Sequence, residues 1–226
     1  GRKPPRPRVR ERSMSLDLSL YVVTDQKLSR GLGHEEVARQ ALAGGADVIQ
    51  LRDKDLSGAE LYRLASRIGE LTRESGGTFI VNDRLDIALA AGADGVHLGQ
   101  DDLPVRAARS VAPGLIIGAS VSSVQEAMRA ERDGADYVAI SPLFDTGSKD
   151  DAGPGNGLEA LRQVKGAVSI PVIGIGGIDR SNVLDVIAAG ADGVAVISAV
   201  VSQDDIAAAA RDLRSLVVKA RERKGA

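Results

Sequence analysis

The chain has 226 residues, no cysteine, 2% aromatic residues and a net charge of −2. That length suits one barrel-sized domain better than two small ones, and absent thiols exclude disulfides, thiolate metal centres and cysteine nucleophiles, in keeping with a reducing cytoplasm. Residues 1–15 carry six Lys or Arg against one acid, which leaves −7 on the remainder; an acidic, aromatic-poor body offers no surface for nucleic acid, and no apolar run reaches membrane-spanning length.

The Pro/Arg-rich opening reads as a disordered basic leader over residues 1–15, of which residues 1–13 are expected to be dispensable, with Met14 as an alternative start. Residues 16–226 are expected to form a single catalytic domain. Its organising feature is a repeat: Gly-Ala-Asp stands at 45–47, 92–94, 134–136 and 190–192, each time followed by an apolar run of strand length. Counted from each Asp, the second and fourth residues are large and apolar (Ile49 and Leu51, Val96 and Leu98, Val138 and Ile140, Val194 and Val196). The third and fifth (Gln50 and Arg52, His97 and Gly99, Ala139 and Ser141, Ala195 and Ile197) mix small and polar types. Strand side chains alternate with period two, so one face meets a greasy layer of helices and the other a tighter, chemically varied interior.

In chain order, Leu18–Asp25 reads as strand one and His34–Leu42 as a helix closed by Gly44-Gly45, with His34 solvated at its start. Strand two ends in Gln50-Leu51-Arg52-Asp53-Lys54, whose alternate residues put an amide and two cations on one face. Buried unpaired cations are costly, so an anionic ligand, or pairing of Arg52 with a neighbouring Asp, is required. Helix two begins at Ser57 with Glu60 completing a capping box and runs to about Glu74. Strand three, Thr78–Val81, ends in Asn82-Asp83-Arg84, and strand four in Gly99-Gln100-Asp101-Asp102. Asp83 and Asp102, hard oxygen ligands without soft neighbours, suit Mg²⁺; the alternative is that each caps the helix after it. His97, at the repeat position of Gln50, is expected to share an interior layer and a hydrogen bond with it.

Strand five, Leu115–Val121, brings Ser120 to the rim. After strand six comes a long Gly-rich loop, Leu143–Gly157, expected to be a lid whose single cation, Lys149, forms a phosphate grip with Thr146 and Ser148. Strands seven, Pro171–Gly177, and eight, ending at Ile197-Ser198, supply bare backbone donors for a second phosphate. A terminal helix spans about Asp204–Lys224, acids first and bases last. Strand then helix, eight times over, is a single-domain (β/α)₈ TIM barrel. An open doubly wound sheet is the alternative, but no G-x-G-x-x-G follows strand one. Two anion sites then share one rim. Mg²⁺, Arg52, Lys54 and Lys149 suit a departing pyrophosphate; the glycine-lined end suits a monophosphate.

The motifs Q-L-R-D-K (50–54), N-D-R (82–84), H-L-G-Q-D-D (97–102), the Ser120 turn, S-P-x-F-x-T-x-S-K (141–149), G-P-x-G (154–157) and G-I-G-G (174–177) resemble, in order, those of the thiamine phosphate synthase family. The resemblance spans all but the leader. It implies a transferase that joins hydroxymethylpyrimidine pyrophosphate to hydroxyethylthiazole phosphate, small-molecule substrates only, and a Mg²⁺ at Asp83 and Asp102. It assigns Gln50 to the pyrimidine. Arg52, Lys54, Asn82, Ser120 and Lys149 go to the pyrophosphate, with Arg52, Ser120 and Lys149 catalytic, and Thr146, Ser148, Gly177, Ile197 and Ser198 go to the thiazole phosphate. Asp53 stands where the family commonly has Glu, Ser148 where it has Thr, and Ser122 where many relatives have His. That His is expected to carry proton transfer in thiazole tautomerase-like relatives, so its replacement favours the synthase; a non-catalytic phosphate-binding barrel is the remaining alternative. Oligomeric state is left open, a homo-oligomer included.

Overall fold

The computed structural model describes residues 16–145 and 155–225. The first half alternates β1 (Leu20–Val23), α1 (His34–Ala43), β2 (Val48–Leu51), α2 (Gly58–Glu74), β3 (Thr78–Asn82), α3 (Leu85–Ala91), β4 (Gly95–Leu98) and α4 (Val105–Val111). The second continues with β5 (Ile116–Val121), α5 (Val124–Asp133), β6 (Tyr137–Ile140), α6 (Gly157–Ala167), β7 (Val172–Ile175), α7 (Val183–Ala188), β8 (Gly193–Val196), α8 (Ser198–Val201) and α9 (Ile206–Gly225). The strands are all parallel and close in sequence order, β8 pairing back onto β1 with Tyr21 opposite Ala195. This is the expected (β/α)₈ barrel, with each crossover helix packed outside its strands. Among the described residues no helix is long and apolar enough to cross a membrane.

The Gly-Ala-Asp repeat turns out to be the joint between helix and strand. Gly45, Gly92, Gly134 and Gly190 all take positive φ (93°, 66°, 101° and 117°), the left-handed turn that ends a helix and that a Cβ disfavours. The alanine after each is buried. Every aspartate then makes a reciprocal pair with one residue of the strand before it. The Asp47 N–H donates to the Leu20 carbonyl (2.9 Å) while its carboxylate accepts the Leu20 N–H (3.0 Å). Asp94 does the same with Phe79, Asp136 with Ile117 and Asp192 with Val172, with both bonds at 2.7–2.9 Å. Strands are thereby joined in pairs at the amino end of the barrel, which leaves the carboxyl end free for a site. Cations cover three of the four: Arg214 on Asp47, Arg109 on Asp136 and Lys165 on Asp192.

Inside the barrel, Gln50 and His97 do occupy a common layer. Two tyrosines from the same face, Tyr21 and Tyr137, connect them. Gly118 lies against this layer, and a Cβ there would sit 2.1 Å from Tyr137 Cζ, so glycine is what lets the phenol lie across the strand.

Candidate active site

At the carboxyl rim the strand ends enclose a cavity of about 280 Å³. Strand two releases Arg52 and Lys54 into its wall. Arg52 also reaches Asp25 at the end of β1, Nη1 to Oδ2 3.3 Å, with both side chains largely covered. The arginine is therefore paired and cavity-lining at once. Asp25 is itself fixed, its other oxygen accepting the N–H groups of Lys27 and Leu28.

His34 departs from expectation: it is 4% exposed, not solvated. Its Nδ1 lies 2.7 Å from Thr24 Oγ1 and its Nε2 2.9 Å from Asp53 Oδ2. Asp53 in turn accepts the N–H groups of Asp55 and Leu56, and these bonds hold its carboxyl below the usual range against the opposing effect of burial. A helix-start histidine thus anchors the loop that carries both cations. The sequence signal was faint, since nothing in the local pattern says that the first turn of α1 faces inward.

The same cavity is lined by Asp83 and Asp102, from the ends of the next two strands. Asp83 has φ 61°, a conformation few non-glycine residues adopt, with its N–H held by the His97 carbonyl at 2.8 Å. Asp102 accepts the Gly99 N–H at 2.7 Å. Neither occupies the cap of the following helix: the N-cap positions of α3 and α4 are Arg84 and Pro104, each without a side-chain cap. Burial, then the neighbouring Asp102 carboxylate, pushes Asp83 up to about 6, while Lys54 and Arg52 pull the other way. Two carboxylates turned together, one of them on a left-handed backbone, are the donor set that a hard divalent cation takes alongside water and phosphate oxygens. Among the described residues no third His, Cys, Asp or Glu joins them.

Asn82, Ser120, Gly177, Ile197 and Ser198 all line the same cavity, as do Gln100 and Asp101, which sequence reasoning passed over beside Asp102. Gly176 and Gly177 have φ 103° and 64° and carry the stem of the long loop, through Phe144 N–H to the Gly176 carbonyl. A Cβ on Gly177 would meet the Asp145 carbonyl at 2.8 Å, so that approach needs glycine as well. Gln50 lies outside the lining; it is 4% exposed and its Nε2 donates to Tyr21. Ser122 donates its hydroxyl to Glu126 at the start of α5. Thr146, Ser148 and Lys149 fall outside the described residues, as does the leader.

A family model described as thiamine monophosphate synthase matches residues 20–200. The thiamine-phosphate synthase of Methanoculleus marisnigri is 63% identical over 203 residues, 89% of this chain and 96% of that protein. That of Methanocella arvoryzae is 59% identical with the same coverage. Among solved structures, a thiamine phosphate pyrophosphorylase from Pyrococcus furiosus superposes with a TM-score of 0.85 at 45% identity, covering 91% of this chain and 98% of that one.

Proposed function

The chain belongs to the thiamine monophosphate synthase family and is a transferase of thiamine biosynthesis, and we propose that it joins hydroxymethylpyrimidine pyrophosphate to hydroxyethylthiazole phosphate by a dissociative substitution. The carrying observation is the concentration of charge: Arg52 and Lys54 line one cavity together with the Asp83/Asp102 pair, close enough for both cations to act on Asp83. Asp83 and Asp102 would hold Mg²⁺, which when bound supplies positive charge to the leaving diphosphate. Arg52 and Lys54, with Ser120, Asn82 and Lys149, bind and orient the same group and take up the charge that develops as the carbon–oxygen bond lengthens. Asp25 keeps the Arg52 guanidinium aimed while leaving the rest of its donor fork for phosphate oxygens. At the opposite side Gly177, Ile197 and Ser198, with Thr146 and Ser148 from the long loop, hold the thiazole phosphate.

The thiazole nitrogen carries no proton, so its attack needs no general base. What the site concentrates is stabilisation of the departing group, and the electron-rich aminopyrimidine carries the cation until nitrogen captures it. A coupled assay with both substrates, with Mg²⁺ and with excess chelator, tests the activity and its metal; full turnover in chelator would rule the metal out. Single-turnover rates for a fluorinated 2-methyl pyrimidine, with binding checked separately, test the order of bond changes. Electron withdrawal starves a cation, so a rate near that of the natural substrate would establish concerted displacement instead.

A further inference from the structure

Five side chains form an unbroken file across the barrel interior beneath the cavity. Gln50 Nε2 lies 2.6 Å from Tyr21 Oη, Tyr21 Oη 2.8 Å from Tyr137 Oη, Tyr137 Oη 3.0 Å from His97 Nδ1, and His97 Nε2 2.9 Å from Ser120 Oγ. Gln50 and both phenols are buried away from the cavity, whereas the largely buried His97 touches its lining and Ser120 opens onto it. The imidazole stacks on Tyr137 with ring centroids 5.6 Å apart and 30° between planes. Gly118 protects the contact, since a Cβ there would lie 2.6 Å from His97 Nδ1.

A file of this kind has a direction if one end is fixed. An amide nitrogen only donates, so Tyr21 accepts from Gln50. Burial pushes both phenols well above their ordinary range, so each holds its one proton. Among the described residues neither phenol has another acceptor in reach. Tyr21 therefore donates to Tyr137, and Tyr137 to His97 Nδ1. A neutral imidazole that accepts at Nδ1 donates at Nε2, to Ser120 Oγ. The Ser120 proton is then directed away from His97, into the cavity.

We infer that this file is polarised from Gln50 to Ser120, fixing His97 as the Nε2–H tautomer and presenting the Ser120 hydroxyl as a donor to a bound oxyanion. Gln50, Tyr21, Tyr137 and His97 are thus positioning residues for that donor, an inference that rests on Ser120 facing the diphosphate. The opposite polarity would turn a lone pair toward a cavity lined by Asp83 and Asp102, where the diphosphate oxygens are proposed to bind. It would also require the Gln50 amide to be rotated end for end.

Nitrogen-15 NMR of the labelled full-length protein reads the tautomer directly. The chain has two histidines, and the spectra of His34→Gln and His97→Gln assign them independently, so either variant suffices. The expected result is a protonated Nε2 and a bare Nδ1 on His97; a proton on Nδ1 overturns the inference. Kinetics supply the second arm. Ser120→Ala and Tyr137→Phe should each lower kcat about tenfold, the worth of one hydrogen bond to a charged group, with KM for the thiazole phosphate unchanged. Because both act through one bond, the double variant should lose no more than the worse single variant, and fully additive losses would overturn the inference. An Nε2–H tautomer combined with no kinetic effect of Ser120→Ala would instead overturn the assignment of Ser120 to the diphosphate.

Discussion

At the scale of single residues, the site is a set of charges that the fold holds against their own preference. Asp83 is the clearest case, with a left-handed backbone and a carboxyl pushed up to about 6 by burial and by Asp102. The raised value means that the metal-free fold is penalised above about pH 6, where the group must ionise, and is relieved as pH falls toward the ordinary carboxylate range. Bound Mg²⁺ requires the ionised form, so its affinity should weaken as pH falls through about 6. Calorimetry in two buffers of different ionisation heat should find protons released on Mg²⁺ binding near that pH and almost none at pH 8; no release at either would mean that Asp83 is already ionised. Asp83→Ala and Asp102→Ala should each cut turnover about a hundredfold or more, the order expected for losing charge stabilisation at a leaving group, with the circular dichroism spectrum retained. His34 acts one contact further out. His34→Ala removes the partner of Thr24 and Asp53, at a cost of about 1–3 kcal/mol in denaturant unfolding. It should also raise KM for the pyrimidine pyrophosphate, because the loop it anchors carries Arg52 and Lys54. An unchanged KM would show that the loop keeps its place without the histidine.

At the scale of elements, the Gly-Ala-Asp repeat was legible as a repeat and its strands were legible from the alternation after it. What each aspartate does was not, because its partner lies in the previous strand, from 15 residues away (Asp94 to Phe79) to 27 (Asp47 to Leu20). Local pattern reports a residue's own face but not a carboxylate reaching back to an N–H near the start of a neighbouring strand. The same limit explains His34, read as solvated from its place at a helix start, and Asp25, whose pairing with Arg52 crosses from β1 to β2. Conversely, the rim residues Arg52, Asn82, Asp83, Asp102 and Ser120 were legible because polar residues at the carboxyl ends of barrel strands have one destination. Since the aspartate joints sit at the other end, stability and catalysis should separate there. Asp94→Ala should lower unfolding free energy by about 1–3 kcal/mol through the orphaned Phe79 N–H and leave kcat unaltered. A matching fall in kcat would show that pairing at the bottom of the barrel is transmitted to the rim.

At the scale of the whole molecule, the barrel is a closed sheet with no edge, and its closure rests on the seam between first and last strands. The eightfold count foretold that seam, but not what seals it. Leu18, two residues before β1, is 2% exposed and lies beneath β8, where a Cβ on Gly193 would come within 1.8 Å of the Leu18 carbonyl. Ser19 accepts the Val194 N–H at 3.3 Å and a bond from Arg221 of α9, while Asp17 takes the same guanidinium at 3.3 Å and is held below the usual carboxylate range by Ser19 and by Arg221 and Arg214, against burial. The segment just before β1 and the last helix thus close the amino end of the barrel together. We propose that residues 1–15, the expected basic leader, add nothing to this closure, whereas residues 17–19 are part of it. A protein lacking residues 1–15 should keep its melting temperature and turnover within error. Leu18→Ala in the full chain should cost about 2–5 kcal/mol as a buried large-to-small change, a fall in melting temperature of roughly 5–15 °C for a domain of this size. Differential scanning calorimetry of the two proteins distinguishes them. A large loss on removing residues 1–15 would mean that the leader docks on the barrel, and a small loss for Leu18→Ala would mean that the seam is held by the strand ladder between β1 and β8 alone.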